Sequence, residues 1–307
     1  MSVDLSIGFI GFGEAGFIIA NGLHAAGVER IFFTHRNRRD PERAALAAKR
    51  GREAGAAALD SAEALAARSD YLLSVVPPDA AVAAAEEYAP FLGPGKVYID
   101  LTSSSPEAMK AAARKVEATG ASFVDGALMG PVPAEGHRVL TFVSGALAEE
   151  AAATLNRYGM NLRSVGPEPG QASAIKLIVS IATKGFGGLL IEMLLAAHHF
   201  RVEETVLKVL NDQFFGRGLE YVVDRFVGSD AVYAGRRAVE MAASLGLLEQ
   251  LGIDPLMVRA TVERLKWSAS LGLSAKFGGV PPAGYREVIR AWEEIGLFDG
   301  KLHKREQ

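Results

Sequence analysis

The chain contains no cysteine, which excludes disulfides, thiolate catalysis and a cysteine-bound metal. It also lacks a charge imbalance: 33 Lys and Arg stand against 36 Asp and Glu, and the basic residues form only local clusters. That leaves no electrostatic footprint for nucleic acid. Tandem repeats and low-complexity tracts are absent. The amino terminus carries no basic segment followed by an apolar core and a cleavage site, so a cytoplasmic protein is expected. Ala174 to Phe200 is long and apolar enough to raise the question of a membrane. Lys176, Lys184 and Glu192 interrupt it at depths where charge is costly in lipid, so the expectation is a buried helix of a soluble protein and no membrane partner. The 307 residues, 49% hydrophobic, suffice for one large core or two ordinary ones, and two domains are expected.

What is present begins at once. Leu5 to Ile10 is an apolar strand pattern that runs into Gly11-Phe12-Gly13-Glu14-Ala15-Gly16 and continues as a helical pattern. This is a dinucleotide-binding turn in its proper setting: Gly11 permits the tight turn, Gly13 lets backbone approach a pyrophosphate, and Gly16 lets helix pack on strand. The second strand, Arg30 to Thr34, follows within one βαβ length. An NAD-specific fold presents an acid near the end of that strand, whereas a 2′-phosphate wants arginine. Here Thr34-His35-Arg36-Asn37-Arg38-Arg39 contains no acid before Asp40. The preferred cofactor is therefore NADP(H), with Arg36 as clamp and Thr34 or Asn37 as polar helper; the alternative is a solvated basic loop.

Further along, Tyr71 to Val76 is a continuous apolar run closed by Pro77-Pro78, as expected for a parallel strand buried on both faces. Lys96 to Asp100 repeats it, and helical patterns separate the strands. The alternation predicts an α/β fold with a Rossmann-type doubly wound parallel sheet. Short strands at 122–125, 139–144 and 162–165 complete it, the last near the sheet edge. Gly166-Pro167-Glu168-Pro169-Gly170 reads as a hinge. Beyond it the pattern is helical: the long apolar segment, then 202–211, 218–227, 236–251, 255–268 and 282–295. The boundaries are a nucleotide domain over 1–167 and an all-helical domain over 168–307 that opens with a long interdomain helix.

Taken in order, these motifs resemble the β-hydroxyacid dehydrogenase family and its 6-phosphogluconate dehydrogenase-like relatives. The glycine turn, Val75-Val76-Pro77, Asp100-Leu101-Thr102-Ser103-Ser104-Ser105-Pro106 and Gly170-Gln171-Ala172-Ser173-Ala174-Ile175-Lys176 carry the resemblance over roughly residues 5 to 200. It implies a homodimer, a small-molecule substrate and a lysine, Lys176, acting as general acid and base at the substrate oxygen. The chemistry is coherent, because hydride reaching a carbonyl carbon leaves alkoxide charge that an ammonium can stabilise and protonate.

Other positions follow from strand ends and helical spacing. Val76 and Pro77 end a strand and should flank the cofactor, while Thr102 and Ser103 either contact ligand or cap the next helix. Ser180 and Lys184 lie four and eight residues beyond Lys176 on one face. The family presents asparagine at the position of Ser180, and that amide is lost here. Its substrate-carboxylate loop, a small Ser-Gly-Gly, is replaced by Met129, Gly130 and Pro131, which removes a hydroxyl and an N–H donor. His137 is a weaker substrate-contact candidate. His198 and His199 read as helix-end residues, and no metal site is expected. The expected activity is NADP-dependent hydride transfer between nicotinamide and a small hydroxy acid or related hydroxy or carbonyl compound. Alternatives are an imine reductase-like enzyme and a non-catalytic NADP(H)-binding sensor.

Overall fold

The structure, a computed structural model, describes residues 5–35, 40–102 and 104–298. From the amino terminus it runs β1 (Ser6–Ile10), α1 (Glu14–Ala25), β2 (Arg30–Thr34), α2 (Pro41–Glu53), β3 (Ala56–Ala58), α3 (Ala62–Arg68), β4 (Tyr71–Ser74), α4 (Ala81–Tyr88), β5 (Val97–Asp100) and α5 (Pro106–Glu117). Then come β6 (Ser122–Leu128), α6 (Val132–Glu135), β7 (Leu140–Ser144), α7 (Ala148–Asn156) and β8 (Asn161–Ser164). The helical remainder is α8 (Gln171–Phe200), α9 (Glu203–Phe214), α10 (Leu219–Gln250), α11 (Leu256–Ser270), α12 (Leu273–Lys276) and α13 (Tyr285–Glu294).

The eight strands form one sheet in the order β3-β2-β1-β4-β5-β6-β7-β8. The order in which strands are added reverses at the junction of β1 and β4, which pair in parallel, and this doubly wound pattern opens a crevice at the strand carboxyl ends. All neighbours pair in parallel except β6 and β7. Two apolar layers cover the sheet. One gathers Ile7, Phe9, Ile19, Leu23, Phe33 and Leu155, and the other Leu72, Tyr98, Met109, Val116 and Phe123. Such two-sided burial is why β1, β4 and β5 read as continuous apolar runs rather than alternating ones.

Local chemistry starts the helices. Asp40 accepts from the amides of Glu42 and Arg43 ahead of Pro41 at the start of α2, Ser61 caps α3, and Ser105 accepts from Ala108 before Pro106 opens α5. Capping of α5 therefore falls to Ser105, not to Thr102.

The chain divides into two compact units, 1–181 and 182–307, with the division inside α8. In the second unit α10 runs unbroken over 32 residues, where sequence spacing suggested two shorter helices. One of its glycines serves packing: a Cβ at Gly228 would lie 3.2 Å from the Pro282 carbonyl oxygen. Within that unit α11 begins without a capping side chain of its own. The buried Glu192 supplies one from α8, accepting from Met257 N at 2.6 Å and Val258 N at 3.0 Å.

α8 is not the buried helix expected from its composition. It is long and apolar enough to cross a membrane, and none of its most apolar stretch is buried within the chain. Leu177, Ile178, Ile181, Ile191, Leu194 and Leu195 are all exposed. The reason is that apolar residues occur all around this helix, whereas a helix covered by its own chain needs only one apolar stripe.

Candidate functional site

The turn after β1 fits its expected purpose. Gly11 has φ +89° and donates to Thr34 O at 3.1 Å, a conformation that side chains other than glycine rarely adopt. A Cβ at Gly16 would come within 2.9 Å of Gly11 O and of the Val75 side chain, so helix and strand pack as the motif requires. Gly13 faces open space, with no atom within 4 Å of the place a Cβ would take, and no side chain caps the start of α1. Free amides at a helix N-terminus beside an open cradle suit a pyrophosphate.

A cleft of about 1040 Å³ extends from that turn. It brings together Gly11, Phe12, Gly13, Glu14, Ala15, Thr34, Val76 and Pro77. Phe12 contributes backbone, because its ring is buried and stacked on Phe33 with centroids 3.9 Å apart. Thr34 is buried too, and its hydroxyl pairs with that of Tyr88 at 2.5 Å. Arg36, Asn37 and Ser103 lie outside the described residues. Sequence reasoning missed two arginines of α2, Arg43 and Arg50, which line the same cleft. Their seven-residue separation places them on one helix face and was a readable signal. Arg43 pairs with Asp40 at 3.3 Å, but both are well exposed, so that pair holds the guanidinium only weakly.

Along the carboxyl ends of the strands runs a row set by register: Thr34, Ile10, Ser74, Asp100, Asp125 and Ser144 are successive cross-strand partners. Asp100 is fully buried. Its Oδ1 accepts from Thr102 N at 2.9 Å and from Thr102 Oγ1 at 2.5 Å. Loss of hydration pushes its pKa from 3.8 up to about 6, with the Thr102 bonds pulling down and the neighbouring Asp125 adding to the rise. Among the described residues, none is in hydrogen-bonding geometry with the buried Asp100 Oδ2, Ser74 Oγ or Tyr98 OH.

Stability should vary with pH accordingly. A carboxyl whose pKa is higher folded than unfolded binds its proton more tightly when folded, so stability rises as pH falls through about 6 towards about 4. Asp100→Asn keeps an oxygen for Thr102 and removes the buried charge. The variant should exceed the parent in stability by on the order of 2 kcal/mol at pH 7.5, and the gap should shrink at pH 5. Denaturant midpoints at the two pH values measure it; an equal gap at both would contradict the assignment.

Asp125, next in the row, is the anchor of α8. Its Oδ2 accepts from Gly170 N at 3.0 Å, Ser173 N at 3.0 Å and Ser144 Oγ at 3.1 Å, and its Oδ1 from Ser173 Oγ at 2.5 Å. Ser144 Oγ in turn accepts from Ala172 N at 3.1 Å. Two strands thus satisfy the amides that open this helix, which otherwise lack intrahelical partners. Gly170 has φ +100°, and a Cβ there would meet Pro106 O at 3.0 Å. The segment read as a hinge is accordingly tethered at both ends, since Gly145 N also donates to Gly166 O at 3.1 Å. Lys176 follows Ser173 by one turn and is partly buried, as is Ser180. Lys184 is exposed and belongs to the second unit.

The loop after β6 carries Met129, Gly130 and Pro131. A Cβ on Gly130 would collide with the Glu135 carboxylate, which folds back over it. His137 is held away from the glycine turn. Its ring lies against Gly22 of α1, where a Cβ would run into the imidazole, and a Cβ on Gly159 would stand 2.9 Å from its Nε2. Gly22 is two turns along α1 from the phosphate end, about 12 Å at about 1.5 Å per residue. Burial lowers the His137 pKa, Arg138 lowers it further, and a backbone bond to Tyr158 opposes both.

Residues 6–166 match the family model described as the NAD binding domain of 6-phosphogluconate dehydrogenase, and residues 197–268 match a domain family of unknown function. A solved protein of unknown function, described as structurally similar to 3-hydroxyacid dehydrogenases, is 33% identical over 86% of this chain and 98% of its own, with a TM-score of 0.60. The mitochondrial 3-hydroxyisobutyrate dehydrogenase of Drosophila melanogaster is 32% identical over 47% of this chain and 43% of its own length. An imine reductase from a Pseudomonas species shares the fold at 18% identity, covering 88% of this chain and 95% of its own, with a TM-score of 0.70.

Proposed function

We propose, for a chain that belongs to the family of the 6-phosphogluconate dehydrogenase NAD binding domain, that it is an NADP-dependent oxidoreductase interconverting a small hydroxy compound and its carbonyl form. The observation that carries the proposal is the fixed start of α8. Asp125 and Ser144 hold its first turn against the strand ends, so Lys176 is presented from a rigid mount on the same edge of the sheet as the glycine turn. When bound, the nicotinamide supplies or accepts the hydride. The chain does the rest: amides of the glycine turn take the pyrophosphate, Val76 and Pro77 border the nicotinamide side, and Lys176 Nζ gives or takes the proton at the substrate oxygen. Consumption of NADPH across a panel of carbonyl acids, aldehydes and imines tests the reading. Preference for imines would replace it with an imine reductase, and no consumption at all would leave a nucleotide-binding sensor.

Preference for NADP(H) rests on Arg36, two positions after Thr34 in the sequence, with Arg43 and Arg50 facing the same cleft as Thr34. NADPH should bind more tightly than NADH, and Arg36→Ala should narrow the margin. Equal dissociation constants in the parent protein, measured by fluorescence titration, would remove the argument.

Assembly follows from the uncovered face of α8. Contiguous exposed apolar surface of this kind marks an interface, and a second copy of the chain is its proposed occupant, giving a homodimer in the cytoplasm. Light scattering at micromolar concentration should give twice the chain mass; a monomeric mass counts against it.

A further inference from the structure

The part of α2 that lines the nucleotide cleft is one helical stripe, Arg43, Leu46, Ala47 and Arg50, in which each later residue lies three, four or seven positions beyond the first. Its two polar members are both arginines. They differ in what holds them. The Arg50 guanidinium stands 5.6 Å over the Phe17 ring of α1, an attraction that turning towards a ligand would forfeit. Arg43 is held through Nε by Asp40 Oδ2 at 3.3 Å, with both side chains well exposed, and such a pair is readily exchanged for a stronger one.

Asp40 is the first acid along the chain after β2, the neighbourhood from which a carboxylate accepts a bond from the 2′-hydroxyl of an unphosphorylated ribose. Its oxygens are engaged otherwise. Oδ1 accepts from Glu42 N at 3.1 Å and from Arg43 N at 3.2 Å as the cap of α2, and Oδ2 faces Arg43. Arg43 is among the described residues that line the cleft, whereas Asp40 is not. The acids that do line it come from other elements: Glu14 and Glu87 from α1 and α4, Asp60 and Asp79 from ahead of α3 and α4. The start of α2 therefore offers the cleft a guanidinium, and its carboxylate serves the helix.

We infer that Arg43 is a second residue selecting for the 2′-phosphate of the cofactor, and that Asp40 tunes the selection by competing for it: Arg43 leaves Asp40 when NADP(H) binds and stays with it when NAD(H) binds. The inference rests on the proposed preference for NADP(H) and deepens it. A phosphate monoester carries more charge than a carboxylate and offers three acceptor oxygens, and a guanidinium can meet it with two parallel bonds. The exchange is favourable, yet the counter-ion holds selectivity below what Arg43 alone would give.

The test needs no turnover and no known substrate. Calorimetry on the full chain without cofactor compares adenosine 2′,5′-bisphosphate with adenosine 5′-phosphate, which differ only in the 2′-phosphate. The parent should favour the bisphosphate, and Arg43→Gln should lower that ratio by about fivefold. Asp40→Asn, which remains a good helix cap, should raise it by about threefold. In the double variant the ratio should fall back to that of Arg43→Gln, because Asp40 acts through Arg43. Affinity for the monophosphate should stay within about twofold throughout, and thermal unfolding shows that each variant is folded. Selectivity that survives Arg43→Gln overturns the inference alone, as does the lack of a gain in Asp40→Asn or a gain that persists in the double variant. A parent that binds both nucleotides equally, or prefers the monophosphate through one of the other acids of the cleft, defeats the NADP(H) reading itself and the inference with it.

Discussion

Replacing Lys176 by alanine should lower turnover by about 10²- to 10⁴-fold, the contribution of a positioned acid or base, while NADPH affinity stays within about twofold of the parent. The separation is expected because the two jobs lie on different elements. In the proposed reading the cofactor phosphates meet the turn between β1 and α1, whereas Lys176 stands on α8, whose first turn is fixed by Asp125 and Ser144 and not by anything lining the nucleotide cleft. Lys176→Arg is the informative companion, since guanidinium keeps the positive charge and does not release its proton near neutrality. It should recover binding of the substrate oxygen and little of the rate. Gly13→Val should fail in the opposite order: a Cβ there meets nothing within 4 Å, so the variant should fold and then exclude the pyrophosphate. Stopped-flow turnover and cofactor fluorescence, taken on all three variants, decide the matter. Near-normal turnover in Lys176→Ala would move the acid elsewhere.

Asp125→Ala should be the most destabilising single change at the site, costing on the order of 3 kcal/mol. Two amides and two hydroxyls lose their acceptor together, and each buried donor left unpaired costs about 1–3 kcal/mol before water or rearrangement recovers part of it. The negative charge at the opening of a helix is lost as well. Asp125→Asn retains one acceptor oxygen and should lose about half as much. Equilibrium unfolding in urea reads both. If Asp125→Ala unfolds within about 0.5 kcal/mol of the parent, the usual span of surface substitutions, α8 is held by something other than this carboxylate.

Much of the nucleotide unit is legible in the sequence because its signals are local. The glycines of the first turn, Pro41 after Asp40, Pro106 after Ser105 and the apolar runs of β1, β4 and β5 each state their role within a few residues. β3 escapes notice for a physical reason: three alanines on a sheet edge, partly or fully exposed, carry neither an apolar run nor a β-branched signature. The role of Asp125 is equally hidden, since its partners stand 45 and 48 positions away. Lys176 stands out through family resemblance; spacing alone gives a lysine near the start of an apolar helix. The unbroken course of α10 is masked because glycine is a common helix terminator, and Gly228 serves instead as a place where neighbouring chain comes close. The composition of α8 announces burial but cannot say that its own chain leaves the helix uncovered.

The socket around His137 constrains how this sequence can drift. Gly22, His137 and Gly159 come from a helix, a loop and a turn far apart in the chain, yet they share one small volume. None of the three can grow alone. A relative that carries alanine or serine at position 22 should carry a smaller side chain at position 137, and the pair of changes should be tolerated where either single change is not. The three positions are thus inherited as a set, and a double-mutant cycle on Gly22→Ala and His137→Ala should show strong positive coupling instead of additive damage.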